Sequence, residues 1–301
     1  MPPDLSNEEK SRVNREIIAI IHASGSGRRP SITQEDVLAL IDELKKVKGP
    51  KDQTHFDVIL NSPGGDIHAA YKLIKVLRSR CRSLNVIVPF YAKSAATLLS
   101  LGSDRIYMGQ QSELGPLDAL IEHPLTEGMW LSALDGVKPL EILSDFCESL
   151  TVDRIGLSIR TKVALGRRES VELALDFAAK LVAPIIRQLD PLILNMCFRY
   201  LQVAEKYGKE LLREYMFKGH PDRDELAEYV IKELVWEYPE HEYAIGIDEA
   251  RRLKLIVEEA ESLPEWDRIW DYYKEREGTG TTHIRLATSD ILSQIKKGGG
   301  S

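Results

Sequence analysis

The chain of 301 residues is 43% hydrophobic and 29% charged, a globular composition with enough apolar surface for one large α/β domain or two small ones. Its 47 acidic residues outweigh 40 Lys and Arg, a formal net charge of -7, which argues against a protein that holds nucleic acid chiefly by neutralising phosphates. No run approaches the roughly 18–20 consecutive apolar residues that span a bilayer. The start, MPPDLSNEEKSR, is polar and acidic, so the expectation is a cytoplasmic protein with no signal peptide and no membrane insertion.

In chain order, Arg15–His22 (REIIAIIH) reads as a buried strand entering the flexible loop Ser24-Gly25-Ser26-Gly27. Thr33-Gln34-Glu35-Asp36 starts a helix whose apolar residues Val37, Leu40, Ile41 and Leu44 recur at helical spacing. Phe56–Leu60 (FDVIL) is a second strand, broken by Ser62-Pro63-Gly64-Gly65, and from Asp66 a helical face carries Ile67, Ala70, Tyr71, Ile74 and Leu77. Leu84–Pro89 is a third strand, Ser94–Leu101 a short buried helix and Arg105–Met108 a fourth strand. This alternation predicts right-handed βαβ units and a mainly parallel sheet.

From about Pro139 the pattern turns helical, with amphipathic segments near Ser170–Leu189, Pro191–Glu214 and Asp222–Glu237; Pro139, Pro184 and Pro191 bound or kink them. No polar linker separates two halves, so the expectation is a single domain over 1–277, with its core at about 15–125 and a helical C-terminal part at about 137–277. Residues 278–301 read as a flexible tail ending in the linker-like Gly298-Gly299-Gly300-Ser301. Cys81, Cys147 and Cys197 form no CxxC pair, which suits a reducing compartment and a role as small apolar core residues.

Two strand-to-helix turns carry the chemistry. Ser62-Pro63-Gly64-Gly65 lets the backbone approach a ligand and leaves amide N–H groups free to bind an oxyanion; the bland alternative is a tight turn and nothing more. Lys93-Ser94-Ala95-Ala96-Thr97 follows the next strand, and Ser94 there is either a nucleophile or merely a helix cap. If the turns are adjacent, Ser94 can attack a carbonyl whose oxygen sits between the N–H groups of Gly65 and Ala95.

Together LNSPGGDIHAAYKLI, VPFYAKSAATLLSLGSDRIYMG and ELGPLDALI, spanning Leu60–Ile121, resemble the serine dehydrogenase proteinase family. That family is a branch of the ClpP/crotonase-fold serine peptidases, which also hold the Clp proteolytic subunit and signal peptide peptidase A. Weaker similarity runs through Asp190-Pro191, Tyr238-Pro239 and Asp248–Leu253. The resemblance implies an α/β spiral of ββα units with a helical C-terminal elaboration, a nucleophile at Ser94, and oxyanion donors at Gly65 and Ala95 beside Gly64. It also implies a homo-oligomer, since relatives form trimers, tetramers or stacked rings. Two residues depart from the family pattern: Ala96 where glycine is usual, and Lys93 where Met or another neutral residue is usual.

A serine needs a general base, and its identity stays open at this stage. The histidine of the Clp subunit aligns with Pro116 or Leu117, so His123, a few residues on, is one substitute. In the signal peptide peptidase branch the base is a lysine near a helix start, and Lys138 in Gly136-Val137-Lys138-Pro139-Leu140 has that setting, ahead of Lys93 and Lys162. Asp118 matches an aspartate of the family and either orients the base, lines the substrate groove or pins its loop to backbone amides. His68 reads as an exposed helix residue.

His22, His55, His220, His241 and His283 show no metal-ligand spacing, and phosphate-binding glycine motifs are missing, so no metal and no cofactor is expected and any energy-driven unfolding partner would be separate. The run Glu240–Lys254 reads as a solvated helix, and Trp266, Trp270, Tyr272 and Tyr273 as a packing or subunit interface. The leading expectation is a serine endopeptidase acting on extended polypeptides through a Ser94–Lys138 dyad. The alternatives are a silent scaffold of the same fold and, behind it, crotonase-type acyl-thioester chemistry.

Overall fold

The computed structural model describes residues 14–25, 30–118, 120–122, 126, 130–152, 157 and 166–292. Contacts gather the chain into two compact units, 1–119 with 203–301, and 120–202, where the sequence leads to one domain.

In the first unit, β1 (Asn14–His22), α1 (Gln34–Leu44), β2 (Thr54–Asn61), α2 (Ile67–Arg80), β3 (Ser83–Val88), β4 (Tyr91–Ala92), α3 (Ala95–Leu101), β5 (Arg105–Met108) and β6 (Glu113–Leu114) follow one another closely. The second unit holds the hairpin β7 (Leu120–Glu122) and β8 (Trp130–Ser132), then α4 (Ala133–Ser149), α5 (Arg167–Ile186) and the start of α6 (Pro191–Leu211). The chain then returns to the first unit with α7 (Arg223–Lys232), α8 (Ile247–Arg252), β9 (Val257–Glu259), α9 (Trp266–Lys274), β10 (Thr282–Leu286) and α10 (Thr288–Leu292).

The main sheet has the order β10-β1-β2-β3-β5-β9. All its pairs are parallel except β10 on β1, so the expected mainly parallel α/β architecture with a helical C-terminal region is the one the chain adopts. Ile17 to Ile21 of β1 are buried without a break, the signature of a strand covered on both faces. Asp36 starts α1 by accepting the Thr33 N–H at 2.8 Å, and Asp66 starts α2 by accepting the His68 N–H at 2.8 Å. Beyond the C-terminal end of β2, Ser62 bridges to Ala92, and β4 in turn pairs with β6; this small second layer carries the Ser94 turn.

Three elements differ from the sequence reading. The segment expected to be a loose tail supplies β10 and α10, because its Ile284–Leu286 stretch pairs with Ile18–Ile20 and would otherwise leave the β1 edge open. The segment read as a solvated helix over 240–254 is helical only in α8, and residues 238–246 run as turn and bridge across the first unit. The helices predicted to run on to Glu214 and Glu237 pass into single π-turns at Leu212–Met216 and Glu233–Glu237. Among the described residues no single helix is long and apolar enough to cross a membrane.

Candidate active site

Ser94 sits at φ 50 and ψ -119, one of two non-glycine residues with positive φ among those described. A β-carbon in that region costs on the order of 1–3 kcal/mol, a strain held only where the surroundings over-determine it. The surroundings here are rigid: α3 is buried along its whole length, while Ser94 itself is half-buried. The Thr97 hydroxyl ties the turn from behind, accepting the Gly115 N–H at 3.0 Å and donating to the Ala92 carbonyl at 2.6 Å. The Ser94 side chain makes no capping hydrogen bond to α3, so the bland role of a helix cap does not hold it.

The second turn lies directly against the first. Gly64 (φ +102) has no room for a side chain, since a Cβ there would fall 2.8 Å from the Lys93 carbonyl and 2.9 Å from the Ser94 Cβ. Gly65 (φ +140) is pressed on the other side by Ile32, whose oxygen would lie 2.4 Å from a Cβ. Ile32 N–H donates to the Gly64 carbonyl at 2.7 Å and its own carbonyl accepts from Asp66 at 2.9 Å. These bonds use the groups on either side of the Gly65 N–H and leave that N–H without an acceptor among the described residues; the Ala95 N–H likewise has none there. Asp66 stays ionised beside this turn: burial works against its charge, but hydrogen bonds from Gln34 and from the His68 and Ala69 amides outweigh it and hold its pKa below the ordinary value.

Lys93 turns neither toward solvent nor toward a free position. Its ammonium donates to the carbonyls of Tyr243 at 3.1 Å and Glu242 at 3.3 Å and pairs with Glu113 at 3.1 Å, with the side chain 10% exposed. It thereby fastens the strand before Ser94 to the 241–245 segment. That segment also exchanges both backbone hydrogen bonds between Leu114 and Ile245, at 2.9 and 3.0 Å. Continued antiparallel from this pair, the register sets Asp118 opposite His241, and the Asp118 carboxylate meets His241 Nδ1 at 3.0 Å, both side chains nearly buried.

Of the sequence-derived candidates, the structure brings Ser94, Ala95, Gly64 and Gly65 together, with Asp118 on the chain that continues from β6. Lys138 lies half-buried early in α4, in the second unit. His123 and Lys162 lie outside the described residues. His68 is exposed on α2 and shares a hydrogen bond of 3.1 Å with the Tyr207 hydroxyl. Two residues escape the sequence reading. Thr97 is signalled only by being a hydroxyl inside a helix of small apolar residues, and His241 has no local signal, since its partner is far away in sequence.

Residues 14–133, the segment that carries both turns, match the model of the ClpP-like SDH-type serine proteinases. The chain is 26% identical over 261 residues to an uncharacterised protein of Methanocaldococcus jannaschii, covering 85% of this chain and 71% of the relative. A second uncharacterised protein of that organism is 28% identical over 116 residues, 38% of this chain and 39% of the relative. Among solved structures, a mutant of the 1510-N membrane-bound stomatin-specific protease overlaps 54% of this chain and 69% of its own at 16% identity and a TM-score of 0.30, too loosely to bear on this site.

Proposed function

We propose that this chain is a serine endopeptidase that cleaves extended polypeptides through an acyl-enzyme on Ser94, with the N–H groups of Gly65 and Ala95 as oxyanion donors. The observation that carries the reading is the pairing of a strained, uncapped Ser94 with a glycine turn packed against its Cβ and an amide left without an acceptor on each turn. Preorganised amides of this kind act on the charge that develops on the carbonyl oxygen, and one such donor is worth roughly 100- to 1000-fold in rate. The match of residues 14–133 to a serine proteinase family model supports the same chemistry.

An assembly of several copies belongs to the same proposal. In the second unit α5 leaves Leu173, Leu175, Phe177, Leu181 and Ile185 exposed, an apolar surface that another copy would cover. For the proton acceptor, the family resemblance nominates Lys138 or His123 and leaves the choice open.

Fluorophosphonate labelling of the full chain with mass-spectrometric mapping tests the reading. The expected adduct is on Ser94 and vanishes in Ser94→Ala together with peptide cleavage. An unlabelled wild type, or full cleavage by Ser94→Ala, overturns it.

A further inference from the structure

We infer that His241, oriented by Asp118, is the general base for Ser94; the inference rests on the peptidase reading above and names the residue that reading leaves open. An ionised carboxylate only accepts hydrogen bonds, so Asp118 against Nδ1 fixes the tautomer with the proton on Nδ1 and the lone pair on Nε2. Nε2 has no hydrogen-bond partner among the described residues. A nearly buried imidazole with one nitrogen on a buried carboxylate and the other nitrogen unengaged is the carboxylate–histidine half of the arrangement a serine hydrolase uses.

Three independent links bring this dyad to the Ser94 turn. Lys93, the residue before Ser94, holds the carbonyls of Glu242 and Tyr243, the two residues after His241. The parallel pairing of β4 with β6 runs Lys93-Ser94 alongside Gly115-Pro116, and a Cβ on Gly115 would lie 3.4 Å from the Lys93 Cα. The Leu114–Ile245 bridge then fixes His241 opposite Asp118. Lys93 itself is unsuited as base, because its three N–H donors meet three acceptors and an ammonium offers no lone pair.

In the acylation step the Ser94 Oγ forms a bond to the peptide carbonyl carbon as its proton passes to His241 Nε2. The C–N bond then breaks, and Nε2–H delivers that proton to the leaving amine. Water repeats the sequence: it gives a proton to Nε2, attacks the ester carbon, and the proton returns to Ser94 Oγ as the acid departs. Asp118 keeps its charge throughout and stabilises the imidazolium.

The test compares wild type, Ser94→Ala, His241→Ala, Asp118→Asn and Lys138→Ala by the rate of fluorophosphonate labelling and by peptide hydrolysis, with and without added imidazole. The expected result is a loss of about 100- to 10,000-fold in His241→Ala, a smaller loss in Asp118→Asn, and recovery of at least about tenfold with imidazole in His241→Ala and in no other variant. A purely structural role for His241 would not yield to imidazole. Wild-type labelling in His241→Ala overturns the inference and leaves Ser94 as nucleophile. So does a folded His241→Ala that imidazole does not restore while Lys138→Ala is silent. If His241→Ala does not fold, His241→Gln replaces it, and a labelling rate equal to wild type overturns the inference. An unlabelled wild type removes the peptidase reading and the inference with it.

Discussion

At the scale of single residues, Gly64 is the position where the least addition does the most damage. Its φ of +102 already strains any L side chain, and a Cβ would press on the Lys93 carbonyl and the Ser94 Cβ, so Gly64→Ala must push the two turns apart. The expected outcome is a fall of about 100-fold or more in Ser94 labelling, with a lowered melting temperature. Ala96 makes the contrast: it is fully buried in α3 and has no positive φ, so the alanine found where the family usually has glycine is compatible with the turn. Ala96→Gly is expected to keep Ser94 labelling and to lose about 1 kcal/mol of stability in urea unfolding, the helix cost of glycine. Ser94, Gly64 and Gly65 were legible in the sequence because a turn between strand and helix is a local event written in adjacent residues. His241 was not, because its meaning comes from Asp118 across an antiparallel bridge, and its neighbours in sequence are charged residues that read as a solvated helix.

Among the elements, the sheet is locked by a polar cluster at its other end. Asp57 of β2 is 2% exposed and meets Arg15 of β1 at 2.6 Å, His55 at 3.0 Å and Asn85 of β3 at 3.0 Å, while His55 reaches Ser83 at 2.7 Å and Arg15 also pairs with Glu265. Burial alone would raise the Asp57 pKa, but the hydrogen bond and charge of His55 and the charge and hydrogen bond of Arg15 outweigh it and hold it at about 2 against an ordinary 3.8. A carboxylate whose pKa is depressed on folding stabilises the fold above its unfolded pKa and loses that contribution as pH falls toward the folded value. Asp57→Asn is therefore expected to cost about 2 kcal/mol at pH 7, and the gap to wild type should shrink between pH 4 and pH 2. Urea unfolding across that range reads it, and a gap independent of pH would contradict the assignment. The strands themselves were legible, with Arg105–Met108 matching β5 at both ends, because Ile- and Val-rich runs closed by turn residues leave little choice. The π-turns at Leu212–Met216 and Glu233–Glu237 were not, since they keep the apolar spacing of a helix and differ only in how the backbone bonds close.

For the molecule as a whole, the two ends of the first unit's sequence meet at one sheet edge. β10 runs antiparallel to β1 through Ile18–Leu286, Ile20–Ile284 and the pairs between and beyond them, and the Ala287 N–H continues the pairing to the Ile17 carbonyl at 2.7 Å. The Thr288 hydroxyl accepts the Ile17 N–H at 2.8 Å. Ala287 and Ile291 then enter a buried cluster with Ile17 of β1, Ile59 of β2, and Ile269, Tyr272 and Tyr273 of α9, with Trp266 and Trp270 packed against it. The aromatic run that the sequence left between packing and subunit interface is thus packing within this unit. The sequence could not disclose the role of residues 282–292, because a five-residue strand of mixed polarity has meaning only once its partner, more than two hundred residues earlier, lies beside it. A chain ending at Glu277 would expose the β1 edge and lose the burial of Ala287 and Ile291, a cost on the order of 3–5 kcal/mol, a large share of the stability typical of a domain. The expected outcome is a lower melting temperature and concentration-dependent aggregation by light scattering, because an open, apolar strand edge pairs with other chains. Ser94 labelling in whatever fraction stays folded should persist, since the site is built from the turn that follows β2, from β4 and from β6; loss of labelling in folded, monomeric truncated chain would mean that the edge strand sets the geometry of the turns as well as the stability of the sheet.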